Sequence, residues 1–393
     1  MGYRVLTLNN ISVRGLERLP RERYELASEI GHPHAVLLRS ADMHGMNVPP
    51  SVLAVARAGA GTNNIPVAAL SRRGVPVFNA PGANANAVKE LVLAGLLLAA
   101  RSICQGWAYA RGLQGDDRAL DEAVEQGKKN FVGIELPGRT LGVVGLGAVG
   151  VEVCNSAEAL GMKVLGYDPQ ITVARAWQLS SSVQQALSLD DLFARSDFVS
   201  VHVPMLEATR GLISGARLRL MHPGGVVLNF ARAPIVDEAE LVAELDRGHL
   251  RAYICDFPTN ALKNHPRAVT LPHLGASTVE AEDNCAIMVA DTLREFLEQG
   301  HIRHCVNFPD AALPRAAGSI RLAIANANVP NMVGQISTCL ASAGLNIAEL
   351  LNRSLGEYAY TLIDAEGVAD EALLRRIRAI DGVLSARLVR TPD

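Results

Sequence analysis

The stretch Leu141–Gly150, LGVVGLGAVG, decides how the rest of the chain is read. Four residues of an apolar run lead into Gly145, Gly147 and Gly150, and the following VGVEVCNSAEALG has helical spacing. A G-x-G-x-x-G alone is weak evidence. Placed between an apolar strand and a helix, it predicts a dinucleotide site, with a ligand-free glycine turn as the competing reading. The first glycine permits the tight turn, and the second lets the backbone approach a pyrophosphate. The third lets helix and strand pack closely, while the helix start at Ala148 and Val149 faces the phosphate charge. The next apolar run, KVLGY, ends at Asp168, 18 residues after Gly150. A carboxylate there can accept from ribose hydroxyls and would repel a 2′-phosphate. Pro169 and Gln170 follow it rather than an arginine, which favours NAD over NADP.

Working outward, five more strand candidates accompany Leu141–Val144: Lys163–Tyr167, Phe198–Val201, Val226–Asn229, Ala252–Cys255 and Ala268–Leu271. Six such strands suit a complete doubly wound dinucleotide-binding domain. Upstream, Tyr3–Leu8, Ala35–Arg39, Leu53–Ala58 and Val75–Asn79 predict a four-stranded parallel lobe with interleaved helical segments such as Ile65–Arg73. A long, nearly all-apolar helix is expected from Ala85, and another from Glu280 to Gln299. Asn307–Gly318, NFPDAALPRAAG, reads as a linker. Beyond it, IRLAIAN, MVGQISTCLASAG, LNIAELLNRS, EYAYTLIDAEG, DEALLRRIRAID and VLSARLVR predict βαββαβ, a ferredoxin-like domain. The expected fold class is α/β: two doubly wound parallel-sheet (Rossmann/flavodoxin-like) lobes plus a terminal ferredoxin-like domain. The expected boundaries are 1–88 with 282–310, 89–281, and 319–393.

Composition narrows the function. The 393 residues carry 37 Lys+Arg against 40 Asp+Glu, a net charge of −3, with no electrostatic basis for nucleic-acid binding. The longest uncharged apolar run, Leu91–Ala100, is about half of what spans a bilayer. MGYRVLTLNN does not read as a signal peptide, so no membrane partner and a cytoplasmic location are expected. Six dispersed cysteines without a CxxC fit free thiols in a reducing compartment, with no metal site.

Ligands of open α/β sheets bind at the carboxyl ends of the strands. There the fourth strand of the dinucleotide set runs into Ala231-Arg232, the fifth into Asp256 and the sixth into Pro272-His273. Oxidising a 2-hydroxy acid needs such a set. A histidine takes the hydroxyl proton, an arginine grips the carboxylate, and a carboxylate near the histidine holds its orientation.

The runs PHLGAST, NFARAPIVDEAEL, HVPMLEATRGLI and GRTLGVVGLGAVG resemble the D-isomer-specific 2-hydroxyacid dehydrogenases. The upstream RAGAGTNNIPVAALSRRGVPVFNAPGANANAVKELVLAGLLLAAR extends that resemblance over nearly the whole chain. It implies Arg232 as the carboxylate-binding arginine, His273 as the acid/base and Asp168 as the ribose-binding acid. His202, Val203 and Pro204 would border the adenosine. Phe230, Ala231, Arg232, Asp256 and Gly275 would line the nicotinamide half. Arg39, Ser40, Arg57, Gly59 and Gly61 match substrate-holding positions, and Lys129 is a further cation for a phosphorylated substrate. One position departs from the family: a Glu that pairs with the histidine is replaced by Asn260, so either Asp256 takes the orienting role or the histidine works without a carboxylate partner. Residues 319–393 resemble an ACT domain on ANANVPNMVGQI and AGLNIAEL, which implies Asn326, Asn328 and Asn346 as holders of an L-serine effector. Together these imply NAD-dependent oxidation of 3-phosphoglycerate to 3-phosphohydroxypyruvate by a homo-oligomer, a dimer or tetramer, opening serine biosynthesis. The alternatives are another D-2-hydroxy acid as substrate, or an NAD(H)-sensing regulator without turnover.

Overall fold

The computed structural model describes residues 2–389. Arg390, which closes the run VLSARLVR, lies outside the described residues, as do Met1 and residues 391–393. The chain divides into two compact units, Met1–Asn84 with Val279–Asp393, and Ala85–Thr278.

The first unit opens with a parallel sheet of β1 (Tyr3–Leu8), β2 (Tyr24–Ala27), β3 (Ala35–Leu38), β4 (Ala54–Arg57) and β5 (Val77–Phe78). Its order, β2-β1-β3-β4-β5, is a flavodoxin-like winding. β3 reads AVLL and all four residues are buried, as expected for a central parallel strand covered on both faces. β2 was not expected from the sequence. Its YELA alternates like an edge strand, and pairing with β1 decides it.

The second unit begins with α1 (Ala85–Arg101), whose Val88, Val92, Leu96, Ala99 and Ala100 enter its core. There follow β6 (Thr140–Val144), α2 (Ala148–Ala159), β7 (Lys163–Tyr167), β8 (Gln184–Gln185), β9 (Phe198–Val201), β10 (Gly225–Asn229), β11 (Leu250–Cys255) and β12 (Ala268–Thr270). All pair in parallel in the order β12-β11-β10-β9-β6-β7-β8. The order reverses between β6 and β9, which opens a crevice at their carboxyl ends. Six of the seven strands are those read from the sequence. β8 consists of two exposed glutamines and offers no apolar signal.

The chain completes the first unit with α3 (Val279–Gln299), which buries Val289, Leu293, Phe296 and Leu297 in one core with Val5 and Ala56. The stretch expected to be a linker is structured at its start. Ile302 and Ala311 form a bridge, Phe308 is buried, and the buried Asn307 accepts from Val77 N and donates to Ser71 and Val75. Then come β13 (Ile320–Ala327), α4 (Met332–Ala341), β14 (Asn346–Leu355), β15 (Tyr358–Glu366), α5 (Glu371–Arg378) and β16 (Val383–Val389). The antiparallel order β14-β15-β13-β16 is ferredoxin-like. Period-two alternation sends Leu322 and Ile324 to a core under α4 and α5. The intervening Ala323 and Ala325, with Tyr360 and Leu362, join the core built on α3.

Candidate active site

In the second unit, Gly145 takes φ +91°, and a side chain there would strike His202 and Val203. A Cβ on Gly150 would overlap the Gly145 carbonyl, so only glycine lets α2 start this close to β6. At Gly147 a Cβ would meet nothing, which leaves the loop bare on the side a ligand approaches. Gly147 caps α2 with no side-chain hydrogen bond, so the amides of Ala148, Val149 and Gly150 are unsatisfied helix donors. Asp168, at the end of β7, accepts from Leu146 N at 2.9 Å and from Gln170 N at 2.8 Å. This pins the carboxylate beside the glycine loop with lone pairs left for hydroxyl donors. Bare glycine backbone, free helix donors and a fixed acid fit a dinucleotide. His202 bonds to the buried Ser200 hydroxyl through Nε2 at 2.9 Å, and burial pushes its pKa down to about 4. It is a neutral wall of this crevice, flanked by Val203 and Pro204.

Two buried polar residues hold the loops that carry Arg232 and His273. Asn229, the last residue of β10, is fully buried; it accepts from Ala231 N at 3.1 Å and donates to Arg232 O at 2.9 Å. It thus sets the turn of Phe230, Ala231 and Arg232, while the half-buried Arg232 guanidinium donates to Ala231 O. Asp256, just past β11, is also buried, and its carboxylate accepts from Leu274 N at 3.0 Å and Gly275 N at 2.7 Å. A Cβ on Gly275 would lie 3.1 Å from that carboxylate. Asp256 therefore orients the loop that carries His273 through its backbone and makes no bond to the imidazole. His273 is exposed, sits at φ +56°, a conformation rare outside glycine, and meets Phe257 edge-on at 5.4 Å between ring centroids. Among the described residues its ring has no hydrogen-bonded carboxylate, and Asn260 is exposed without a side-chain hydrogen bond. Asn229 was missed in the sequence. Its only signal was a polar residue closing an otherwise apolar strand.

Lys129 lies on the surface turn Lys128–Phe131, packed against helices Asp117–Gly127 and Ile103–Gly112, apart from the Arg232 and His273 loops. Its neighbour Lys128 pairs with Glu125.

In the first unit, Arg57 at the end of β4 donates through Nε to Arg39 O at 2.9 Å, and its guanidinium folds over Gly59, where a Cβ would collide with it. Arg39 pairs with Glu282 of α3 at 2.7 Å. Asn64 ties Arg39 O and Ala41 O together, and Asn79 bonds Ala60 O. Arg39, the exposed Ser40, Arg57, Gly59 and Gly61 thus form one surface at the carboxyl ends of β3 and β4.

The three asparagines of the terminal sheet do not converge. Asn326 is 1% exposed, and its amide is used by Ala327 O and Thr361. Asn328 bonds Gly356 O, and Asn346 bonds Glu366. On β15, Asn326 pairs with Ala359 and Asn346 with Glu366, seven residues and roughly 23 Å along the strand. Within one copy of the terminal sheet, this register keeps Asn346 apart from Asn326.

Residues 96–275 match the family "D-isomer specific 2-hydroxyacid dehydrogenase, NAD binding domain". The chain is 31% identical to D-3-phosphoglycerate dehydrogenase of Haemophilus influenzae, over 93% of this chain and 88% of that one. It is 39% identical to D-3-phosphoglycerate dehydrogenase of Mycobacterium bovis, over 73% of this chain and 53% of that one. Among solved structures, the fold is that of the NAD+-bound 3-phosphoglycerate dehydrogenase of Entamoeba histolytica, with TM-score 0.61 and 24% identity over 78% of this chain and 99% of that one. Similarity across almost the full length, joined to a glycine loop shaped for NAD, shows that the chain belongs to the D-3-phosphoglycerate dehydrogenases, within the D-isomer-specific 2-hydroxyacid dehydrogenase family.

Proposed function

We propose that the chain oxidises 3-phosphoglycerate to 3-phosphohydroxypyruvate with NAD, the first step of L-serine biosynthesis. The observation that carries this reading is Arg232 and His273 on locked loops at the carboxyl ends of strands in the sheet that bears the glycine loop. Bound NAD supplies the hydride acceptor. Arg232 grips the substrate carboxylate through two parallel N–H donors and sets the C2 hydroxyl in place. His273 takes the hydroxyl proton on an imidazole nitrogen as the C2 hydride departs, leaving the carbonyl. Asp256 and Asn229 hold these two groups through backbone. In the first unit, Arg39 and Arg57 are the cations offered to the phosphate; Lys129 is a weaker candidate, being packed elsewhere on the second unit.

The test is NAD reduction followed at 340 nm with 3-phosphoglycerate and with unphosphorylated D-2-hydroxy acids. Turnover with 3-phosphoglycerate alone is expected. Preference for an unphosphorylated acid would move the assignment within the family, and tight NADH binding without turnover would make the chain a redox sensor. We also propose a homo-oligomer, a dimer or tetramer, working in the cytoplasm, where six free thiols are stable. An L-serine site that uses both Asn328 and Asn346 needs two copies of the terminal sheet, given their separation along β15. Millimolar L-serine lowering the rate would support it.

A further inference from the structure

We propose that the cavity where the terminal sheet meets the first sheet's lobe is a binding site for a small organic anion, separate from the dehydrogenase site. It lies wholly within the first unit and has a volume of about 430 Å³, in the range of small-molecule pockets. Its charged lining is Arg73, just after helix Val67–Arg72, Arg378 at the end of α5, and Arg387 on β16. Among the described residues, no Asp or Glu lines it.

Three cations facing one cavity repel each other, and among the described residues only Arg378 has a carboxylate partner, Glu371, which lies outside the lining. Apolar surface from Leu53, Phe296 and Leu384 lowers the local dielectric and strengthens the positive potential. Each guanidinium is also held from behind. Arg73 donates to Val48 O and Pro49 O, both at 2.9 Å. Arg378 donates through Nε to Ala386 O at 3.0 Å and pairs with Glu371, which is not part of the lining. Arg387 donates to Phe296 O and Leu297 O and stacks 4.4 Å from the Phe296 ring centroid. A guanidinium has five N–H donors, so each keeps some for a ligand while its orientation is already set.

The chemistry selects the ligand class. Phosphate and carboxylate oxygens match guanidinium forks, and the apolar wall suits a short carbon skeleton. A zwitterionic amino acid would bring its ammonium among three cations with no carboxylate to receive it. The occupant is therefore a phosphorylated or multiply carboxylated small metabolite, not the amino-acid effector considered above. Since Arg73 belongs to the first lobe and Arg378 and Arg387 to the terminal sheet, such an anion ties the two together. Direct contact already exists there, where Ser385 Oγ donates to Gly74 O at 3.0 Å.

Isothermal titration of the full chain with inorganic phosphate, and separately with citrate, tests this at fixed ionic strength and saturating NADH. The wild type should show an anion site that Arg73→Met and Arg378→Met each weaken at least tenfold. NAD reduction rate and the ligand-free melting temperature of Arg378→Met should stay at wild-type values. Should an arginine variant misfold, Leu384→Trp keeps all three charges and fills the cavity, and it should abolish the same site. Anion binding unchanged in these variants, or no binding of either anion to the wild type, would overturn the proposal.

Discussion

His273 is exposed, strained at φ +56°, and free of a carboxylate, so its placement depends on Asp256 acting through Leu274 N and Gly275 N. His273→Ala should lower kcat by at least about a thousandfold while leaving NADH affinity within about twofold, as measured by assay and fluorescence titration. Asp256→Asn keeps the shape but turns an NH2 toward a backbone amide. It should cost about 1–3 kcal/mol in urea unfolding and reduce kcat through the displaced loop. His202 behaves differently. With its folded pKa near 4 and the unfolded value near 6.5, the unfolded state binds more protons between those values. Its contribution is complete above pH 6.5 and is lost as pH falls toward 4. His202→Gln should flatten unfolding free energy against pH in that window.

At the scale of elements, the glycine loop separates two uses of one residue type. Gly150 is glycine for packing and Gly147 for the ligand. Gly150→Ala forces α2 away from β6, and should lower the melting temperature of the ligand-free chain and abolish NADH binding. Gly147→Ala has φ −72° and open space, so it should melt as the wild type does and lose about tenfold or more in NADH affinity. Equal melting losses in both would show that the loop is structural throughout. These strands and helices were legible because apolar runs and glycine punctuation mark them. Edge strands β2 and β8 were not, since each is short and depends on its neighbour for pairing.

At the scale of the molecule, the terminal sheet is joined to the first lobe by shared burial and by charge. Arg321 and Asp364, opposite each other on β13 and β15, are both fully buried and bonded twice at 2.7 Å. Arg321 also donates to Gln299 O at the end of α3 and meets His301. Removing one partner leaves a buried charge, so Asp364→Ala should cost about 3–5 kcal/mol, while Arg321→Met with Asp364→Leu should cost much less. Urea unfolding of the singles and the double measures this.

Sequence by itself determined the three sheets and the NAD preference, and put forward the strand-end residues proposed for the chemistry, because periodicity, glycine spacing and strand-end position are local properties. Tertiary structure alone decided what lies between distant segments. Asn229 and Asp256 proved to be loop clamps, because a buried polar side chain takes whatever backbone donors the fold presents. Asn326 turned inward and Asn346 fell at the far end of β15, because strand register is set by pairing and not by spacing along the chain. The stretch after Asn307 became part of a core, because Phe308 and Ala311 have apolar partners only once α3 and the terminal sheet are in place.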